Sequence, residues 1–350
     1  MDFSRPDNAR IINKLKVLNA LRHGEYSRAE LSRELVINKV SISEISEALI
    51  NQDLVEEGKK DNNTSGRPSI KLKIKKMRGR VFSLVFSSST VTASASDLCG
   101  NILRFERFLK DETMTENIAS FINKMTQDNP TVYGMTIVSE DEIDIPKDTF
   151  PWPFTYEDKA FCYARAEEEK KEEENCLYIC LSDTIEACYK NRFLRHIPTF
   201  GHIKISNDTE CFCGGIGCLN AFTSGLVLKS KSGINQYRKL ISLERGLKEI
   251  YKVQPYLVLA IAEAVQANGA EKVVLCGELS LLDDSFYFSL NNQLKETLPP
   301  LRRNVEVVRN KNGDKGLLMG SGIIALDKFF YHTEILKELE RIQANSSSLL

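Results

Sequence analysis

Four side chains in one short stretch have the types and spacing to hold a metal ion. Within GHIKISNDTECFCGGIGCLN, from Gly201 to Asn220, His202 precedes a Cys-x-Cys pair, Cys211 and Cys213, and Cys218 follows. One imidazole and three thiolates suit the tetrahedral preference of zinc, and four protein donors leave no open position, so the chemistry expected is structural and not catalytic. Gly214, Gly215 and Gly217 let the backbone turn tightly enough to aim neighbouring thiolates at one ion. The other reading of the same residues is buried or redox-active thiols.

The elements that must carry this cluster belong to a chain of 350 residues, long enough for two or three cores. Its 42% hydrophobic content is that of a soluble globular protein. The apolar runs are short, such as Leu257 to Ala262, and MDFSRPDNAR has no apolar signal region, so the expectation is a cytoplasmic protein with no membrane span. Nine cysteines, an odd number with three of them crowded together, suit a reducing compartment and metal binding better than a disulfide framework.

A net charge of -1 hides an asymmetry. Residues 1–80 hold 17 Lys and Arg against 11 Asp and Glu, so one end can meet phosphate and the remainder cannot. In that basic end Ile11, Ile12, Leu15, Leu18 and Leu21 recur at helical spacing, and Gly24 closes the helix. Ser27 with Glu30 forms a capping box for a second helix, which buries Leu31 and Leu35. After a turn at Ile37-Asn38, a third helix carries Val40, Ile42, Ile45, Leu49 and Ile50. Strand-like Leu54-Val55 and Ser69 to Ile74 then flank a polar tip. Three short helices and a hairpin make a winged helix-turn-helix, a module for double-stranded DNA.

In that module the start of the third helix offers Asn38, Lys39, Ser41 and Ser43 to a major groove, and Lys59, Lys60 and Arg67 sit where a wing touches backbone or minor groove. The competing reading is a small helical protein-interaction domain, which Glu44 and Glu47 favour because acidic side chains repel phosphate. Lys71 to Arg80 reads as a linker or hinge.

The longer second part alternates strands and helices. Helices are expected at 116–127, 156–173, 233–251, 255–268 and 317–330, and strands at 132–138, 176–181 and 272–276, which is an α/β pattern. Glu167 to Asn175 is a solvated charged run. Cys99, Cys176, Cys180, Cys188 and Cys276 read as inert thiols, Trp152 as a loop anchor, and His23, His196 and His332 have no partner visible in sequence.

The winged module, the GRPS linker at Gly66 and the GH…CxCGxxGC cluster together resemble the ROK family of repressors, open reading frames and sugar kinases, on its repressor side. The resemblance implies a two-lobed actin-like ATPase (ribonuclease H-like) fold, a zinc site on His202, Cys211, Cys213 and Cys218, self-association as a dimer or tetramer, and an effector cleft for a sugar or sugar derivative. The lobes would be residues 77–158 with 318–350, and residues 159–317, behind a DNA-binding domain of residues 1–76. Glu157, Asp158, Thr199, His202 and Asn220 fall at the family's sugar-contacting positions.

Several family features are absent. The DxGGT phosphate loop of the kinases reads Phe86-Ser87-Ser88-Ser89-Thr90, and the second Gly-rich turn reads Ser182 to Cys188 with Glu186 in place of a glycine. Neither loop keeps the bare backbone N–H groups that cradle phosphate. Three of the sugar positions have also changed. Asp158 alone could serve as a general base, but no phosphate cradle or activated nucleophile accompanies it. The expectation is a transcriptional regulator of carbohydrate-related genes, acting as a repressor, that is not an enzyme. A sugar kinase that kept a DNA-binding module, and a scaffold without an effector, are the alternatives.

Overall fold

Local signals build the amino-terminal module. The computed structural model describes residues 6–61, 69–139, 150–168, 175–191 and 193–332. Helix α1 (Pro6–His23) is followed by a two-residue strand β1 (Tyr26–Ser27), α2 (Arg28–Glu34), α3 (Lys39–Asn51) and the hairpin β2 (Val55–Asp61) and β3 (Ser69–Ile74). Both halves of the Ser27/Glu30 capping box form, and Asn38 caps α3 by accepting the Ser41 N–H. The strand β1 pairs with β3, a link the sequence reading did not include, so the wing hairpin is a three-stranded sheet of order β1-β3-β2.

Two further sheets follow, and they repeat one plan. In the first, β4 (Gly79–Phe86), β5 (Thr90–Ser96) and β6 (Ile102–Leu109) form an antiparallel meander, after which β7 (Thr131–Val138) and β8 (Phe154–Glu157) add in parallel beyond β4. Helix α4 (Met114–Met125) connects β6 to β7, and α5 (Lys159–Glu168) follows β8. The second sheet repeats the meander in β9 (Cys176–Leu181), β10 (Ile185–Lys190) and β11 (Leu194–Ile197). Helices α6 (Asn220–Thr223), α7 (Gly225–Ser232), α8 (Tyr237–Leu240) and α9 (Glu244–Asn268) come before parallel β12 (Lys272–Cys276); α10 (Asp284–Thr297) then leads to β13 (Glu306–Arg309). The spatial orders β6-β5-β4-β7-β8 and β11-β10-β9-β12-β13 are the same. The last described helix, α11 (Gly313–Phe329), packs back on β4 and β7 and against α5.

Three sequence expectations need correction here. Residues 233–251 and 255–268 do not form two helices, because the apolar stripe Ile250, Val253, Leu257, Val258 and Ile261 stays in register through Pro255 and α9 runs unbroken across it. The 317/318 boundary cuts α11, a continuous helix from Gly313 that belongs to the packing of the first sheet.

The third correction concerns the linker. Lys71 to Ile74 lie in β3 and Gly79-Arg80 open β4, with one short 3-10 turn between them. The winged module and the first lobe also share a core: Leu18, Leu21, Leu31, Ile42, Leu49 and Leu72 cluster with Val81, Leu98, Ala325, Leu326, Phe330 and Tyr331. Burial of that apolar surface holds the two parts as one packed unit, so the segment is no hinge.

A charge triad crosses the same junction. Arg22 of α1 donates to Asp327 of α11 at 2.8 Å, and Arg165 of α5 donates to the other carboxylate oxygen at 2.6 Å. The Arg22 guanidinium is 1% exposed and lies over the Tyr331 ring. Burial alone would raise the Asp327 carboxyl, but Arg165 and Arg22 outweigh it and hold the group below its ordinary value.

Candidate functional site

The candidate metal ligands sit on a knuckle after β11. The N–H groups of Cys211 and Gly214 donate to Gly215 and Cys211 carbonyls, and short bridges Lys204↔Cys218 and Glu210↔Ile216 close the loop. Gly217 is required here: its φ is +80°, and a Cβ would stand 1.8 Å from the Ser206 carbonyl oxygen. The ligand atoms of His202, Cys211, Cys213 and Cys218 all lie within 4.8 Å of one another. Cys213 Sγ is 3.8 Å from Cys218 Sγ, and Cys211 Sγ is 3.9 Å from His202 Nδ1. A tetrahedron with metal–sulfur bonds of about 2.3 Å has edges of about 3.8 Å. The donor set therefore fits a four-coordinate ion, and no other such group occurs among the described residues.

The remaining cysteines behave differently. Cys162, Cys176, Cys180, Cys188 and Cys276 are buried thiols, none in a disulfide, in the core between the two sheets. Burial pushes the Cys162 and Cys276 thiols up, so they stay protonated and unreactive. Trp152 stacks on Phe82, 5.8 Å between rings, as a loop anchor.

The cleft between the lobes shows what replaced the phosphate loops. Glu186 Oε2 accepts the Lys159 N–H at 2.8 Å, so the chain's own carboxylate covers the N-terminus of α5. The buried Lys159 Nζ donates to Ser182 Oγ at 2.9 Å, and Ser182 donates to Glu278 at 2.6 Å. Asp183 pairs with Lys229 and accepts the Tyr237 hydroxyl at 2.5 Å. These ties leave only about 70 Å³ between Ser87, Ser88 and Ser139 on one lobe and Asp183, Thr184 and Leu226 on the other. Ligand pockets run from about 300 Å³ upward. A wider space of about 630 Å³ opens beside it, and the same loop, Ser87 to Thr90, lines it together with Arg107, Lys159, Lys229, Glu278 and Asp314.

The five residues assigned to effector contact do not line either space. Asn220 is 2% exposed; its Oδ1 accepts the Ile185 N–H, and its amide packs where a Gly201 side chain would be. It is an internal tie. His202 turns Nδ1 to Cys211, and Thr199 is exposed. Glu157 and Asp158 are held by a residue the sequence reading left unpartnered. His196 Nδ1 is 2.6 Å from Asp158 Oδ2, its Nε2 is 3.4 Å from Glu157, and its ring stacks on Phe161 at 4.1 Å. Asp158 Oδ1 meanwhile accepts the Phe161 N–H, so the position of a catalytic base is spent on helix start and ion pair.

This ion pair joins edge strand β11 of one sheet to the end of edge strand β8 of the other. The hydrogen bond to Asp158, then that to Glu157, raises the His196 imidazole to about 10. A group raised on folding stabilises fully below its ordinary value near 6.5 and loses that contribution as pH rises through the folded value. His196→Gln is therefore expected to lower Tm modestly at pH 6–8 and to match the parent near pH 10.5, as read from paired thermal melts; an equal difference at both pH values would show that stacking, not charge, is the contribution.

On the winged module, Asn38 and Ser43 are occupied within α3: Asn38 caps it and Ser43 Oγ donates to the Lys39 carbonyl. Lys39 is exposed and Ser41 half-buried at its start. Lys59 and Lys60 lie on β2, and Arg67 falls outside the described residues.

A three-helix winged module fused to two lobes of repeated five-stranded plan defines a winged helix-turn-helix protein with an actin-like ATPase fold. Residues 195–328, a stretch that includes the His/Cys knuckle, match the model of the ROK family. The chain is similar in structure to a ROK family transcriptional regulator described as a homologue of E. coli Mlc, with a TM-score of 0.72, 18% identity, and 94% of this chain and 99% of that one covered. It is also similar to a ROK hexokinase from Thermus thermophilus (TM-score 0.56, 17% identity, 70% and 97% covered). A third structure is a ROK family glucokinase from Streptomyces griseus in complex with glucose and AMPPNP (0.53, 14%, 70% and 99%). At these identities the likeness is one of fold. No curated protein sequence matches the chain. No helix among the described residues is long and apolar enough to cross a membrane.

Proposed function

We propose that the protein is a DNA-binding transcriptional regulator, a repressor whose two lobes sense and do not phosphorylate. One observation carries this reading: the chain's own side chains occupy the α5 N-terminus and the Asp158 carboxylate, while α3 remains displayed on a module packed into the first lobe. Glu186 occupies the helix N-terminus that would meet phosphate, and Asp158 is bound by His196. Zinc on His202, Cys211, Cys213 and Cys218 would fix the knuckle without taking part in any reaction. The division into residues 1–76, 77–158 with the carboxy-terminal helix, and the intervening lobe belongs to the same proposal. So do a cytoplasmic location, self-association as a dimer or tetramer, and control of carbohydrate-related genes by a sugar-derived effector. The 630 Å³ space suits such an effector better than the five positions first assigned to it.

Selection of genomic fragments by the full-length protein at near-physiological salt, followed by footprinting, tests the reading. A few retained sites with two-fold symmetry are expected, since a dimer presents two copies of α3 at whole helical turns. Diffuse binding that disappears with modest salt would overturn it, because any basic module holds DNA at low ionic strength. The kinase neighbours supply the second reading, and ATP turnover with any hexose or amino sugar would establish it.

A further inference from the structure

Val36 is the wrong residue for its place by every local criterion. It lies in the turn between α2 and α3 with φ +55° and is 90% exposed. Among the described residues the other non-glycine positions at positive φ are Asp53, Asn129 and His332, types that tolerate the left-handed region, whereas a β-branched side chain there is strained. Neighbours impose the turn: Ser32 Oγ donates to the Ile37 carbonyl, the Ile37 N–H donates to the Ser32 carbonyl, and Ile37 is buried beneath. Neither conformation nor burial selects valine, so the isolated fold would be better served by glycine.

Val40, at the start of α3, repeats the anomaly at 69% exposed. It heads the outward strip Val40, Ser43, Glu44 and Glu47, spaced to lie on one helix face. Ser43 is committed to the Lys39 carbonyl, which leaves Val40 as the apolar group of that strip. The acidic pair is repelled by phosphate and is favourable only against base-edge donors. Exposed Arg33 and Lys39 flank the turn with the charge that phosphates need. An apolar tip on a strip that avoids phosphate, between two cations, fits the methyl-bearing edge of thymine in the major groove.

We infer that Val36 and Val40 form an apolar reader that packs on thymine methyl groups, Val40 with the base edge and Val36 beside it. The inference rests on the DNA-binding reading above and names its specificity. The strain at Val36 is retained because the contact, not the fold, requires valine.

The test uses the full-length protein and the DNA it selects, with each thymine of a half-site replaced in turn by deoxyuridine. Loss of one packed methyl is expected to weaken wild-type binding about three- to fivefold at one or two positions. Val40→Ala, a surface change that leaves folding intact, should bind equally to the thymine and uracil versions of those positions. Val36→Gly should raise Tm by about 2 °C and weaken binding to the same DNA, so the two effects oppose each other. Wild-type indifference to uracil at every position overturns the inference and leaves the regulator reading intact. Undiminished binding by both variants also overturns it and assigns the valines to a protein partner. Failure to select any DNA overturns both readings.

Discussion

Replacing Asp327 with alanine is expected to destabilise the protein by about 3–5 kcal/mol, because it removes a carboxylate that two buried guanidinium groups share. Arg22 and Arg165 approach the carboxylate from opposite elements, one in the winged module and one in the helix that borders the cleft. Both side chains are at most 10% exposed, so water cannot compensate. Denaturant melts of wild type and variant check the value, and a loss under about 1 kcal/mol, typical of a surface pair, would contradict the burial of the triad. The acid response has a defined sign. Asp327 is held below its ordinary value on folding, so its contribution is complete above about pH 4 and disappears as pH falls through the depressed value. The variant should therefore approach wild-type stability only under strongly acid conditions.

Removing one metal ligand is expected to have the second large effect. Cys213 is the informative choice because it is exposed while Cys211 and Cys218 are buried. Cys213→Ser deletes a ligand without opening a cavity, so any loss of stability reports the ion and not packing. Freshly purified wild type should contain one zinc per chain by metal analysis and the variant far less. The melting of the second lobe should fall by ten degrees or more (~several kcal/mol), in keeping with the large apparent free energy of structural zinc sites. Treatment of wild type with a strong chelator should reproduce the variant's melting curve. Wild type without bound zinc, or a variant that melts like wild type, would return these thiols to the redox or buried class.

What could be read in the sequence was what is local along the chain. The Ser27/Glu30 capping box closes over three residues, and the four metal donors lie between positions 202 and 218; chemistry at that separation leaves a pattern in the letters. That Ser87 to Thr90 carries no glycine is equally visible in the letters. Contacts between distant residues left no such pattern. Arg22 and Asp327 are 305 positions apart, and His196 meets Asp158 across 38. Four-residue edge strands such as β8, β11 and β13 take their pairing from neighbours and show too little periodicity to be seen alone. Asn220 was placed at a sugar-contacting position by the resemblance alone, and the hydrogen bond its Oδ1 accepts from the Ile185 N–H, 35 positions away, leaves no pattern in the letters. Lys71 to Arg80 misled through composition, since basic residues on strand edges and turns resemble a linker until the core beneath them is known.

That core bears on how a signal reaches DNA. A tethered module searches many orientations and finds half-sites at many spacings, whereas this one is bolted to α11 by Leu326, Phe330 and Tyr331. Under the regulator reading proposed above, α3 would act as the far end of a lever whose fulcrum is the seam between the lobes. In an assembly of such subunits, small changes in lobe closure would reset the distance between recognition helices, and the operator's half-site spacing would serve as the ruler against which that distance is judged.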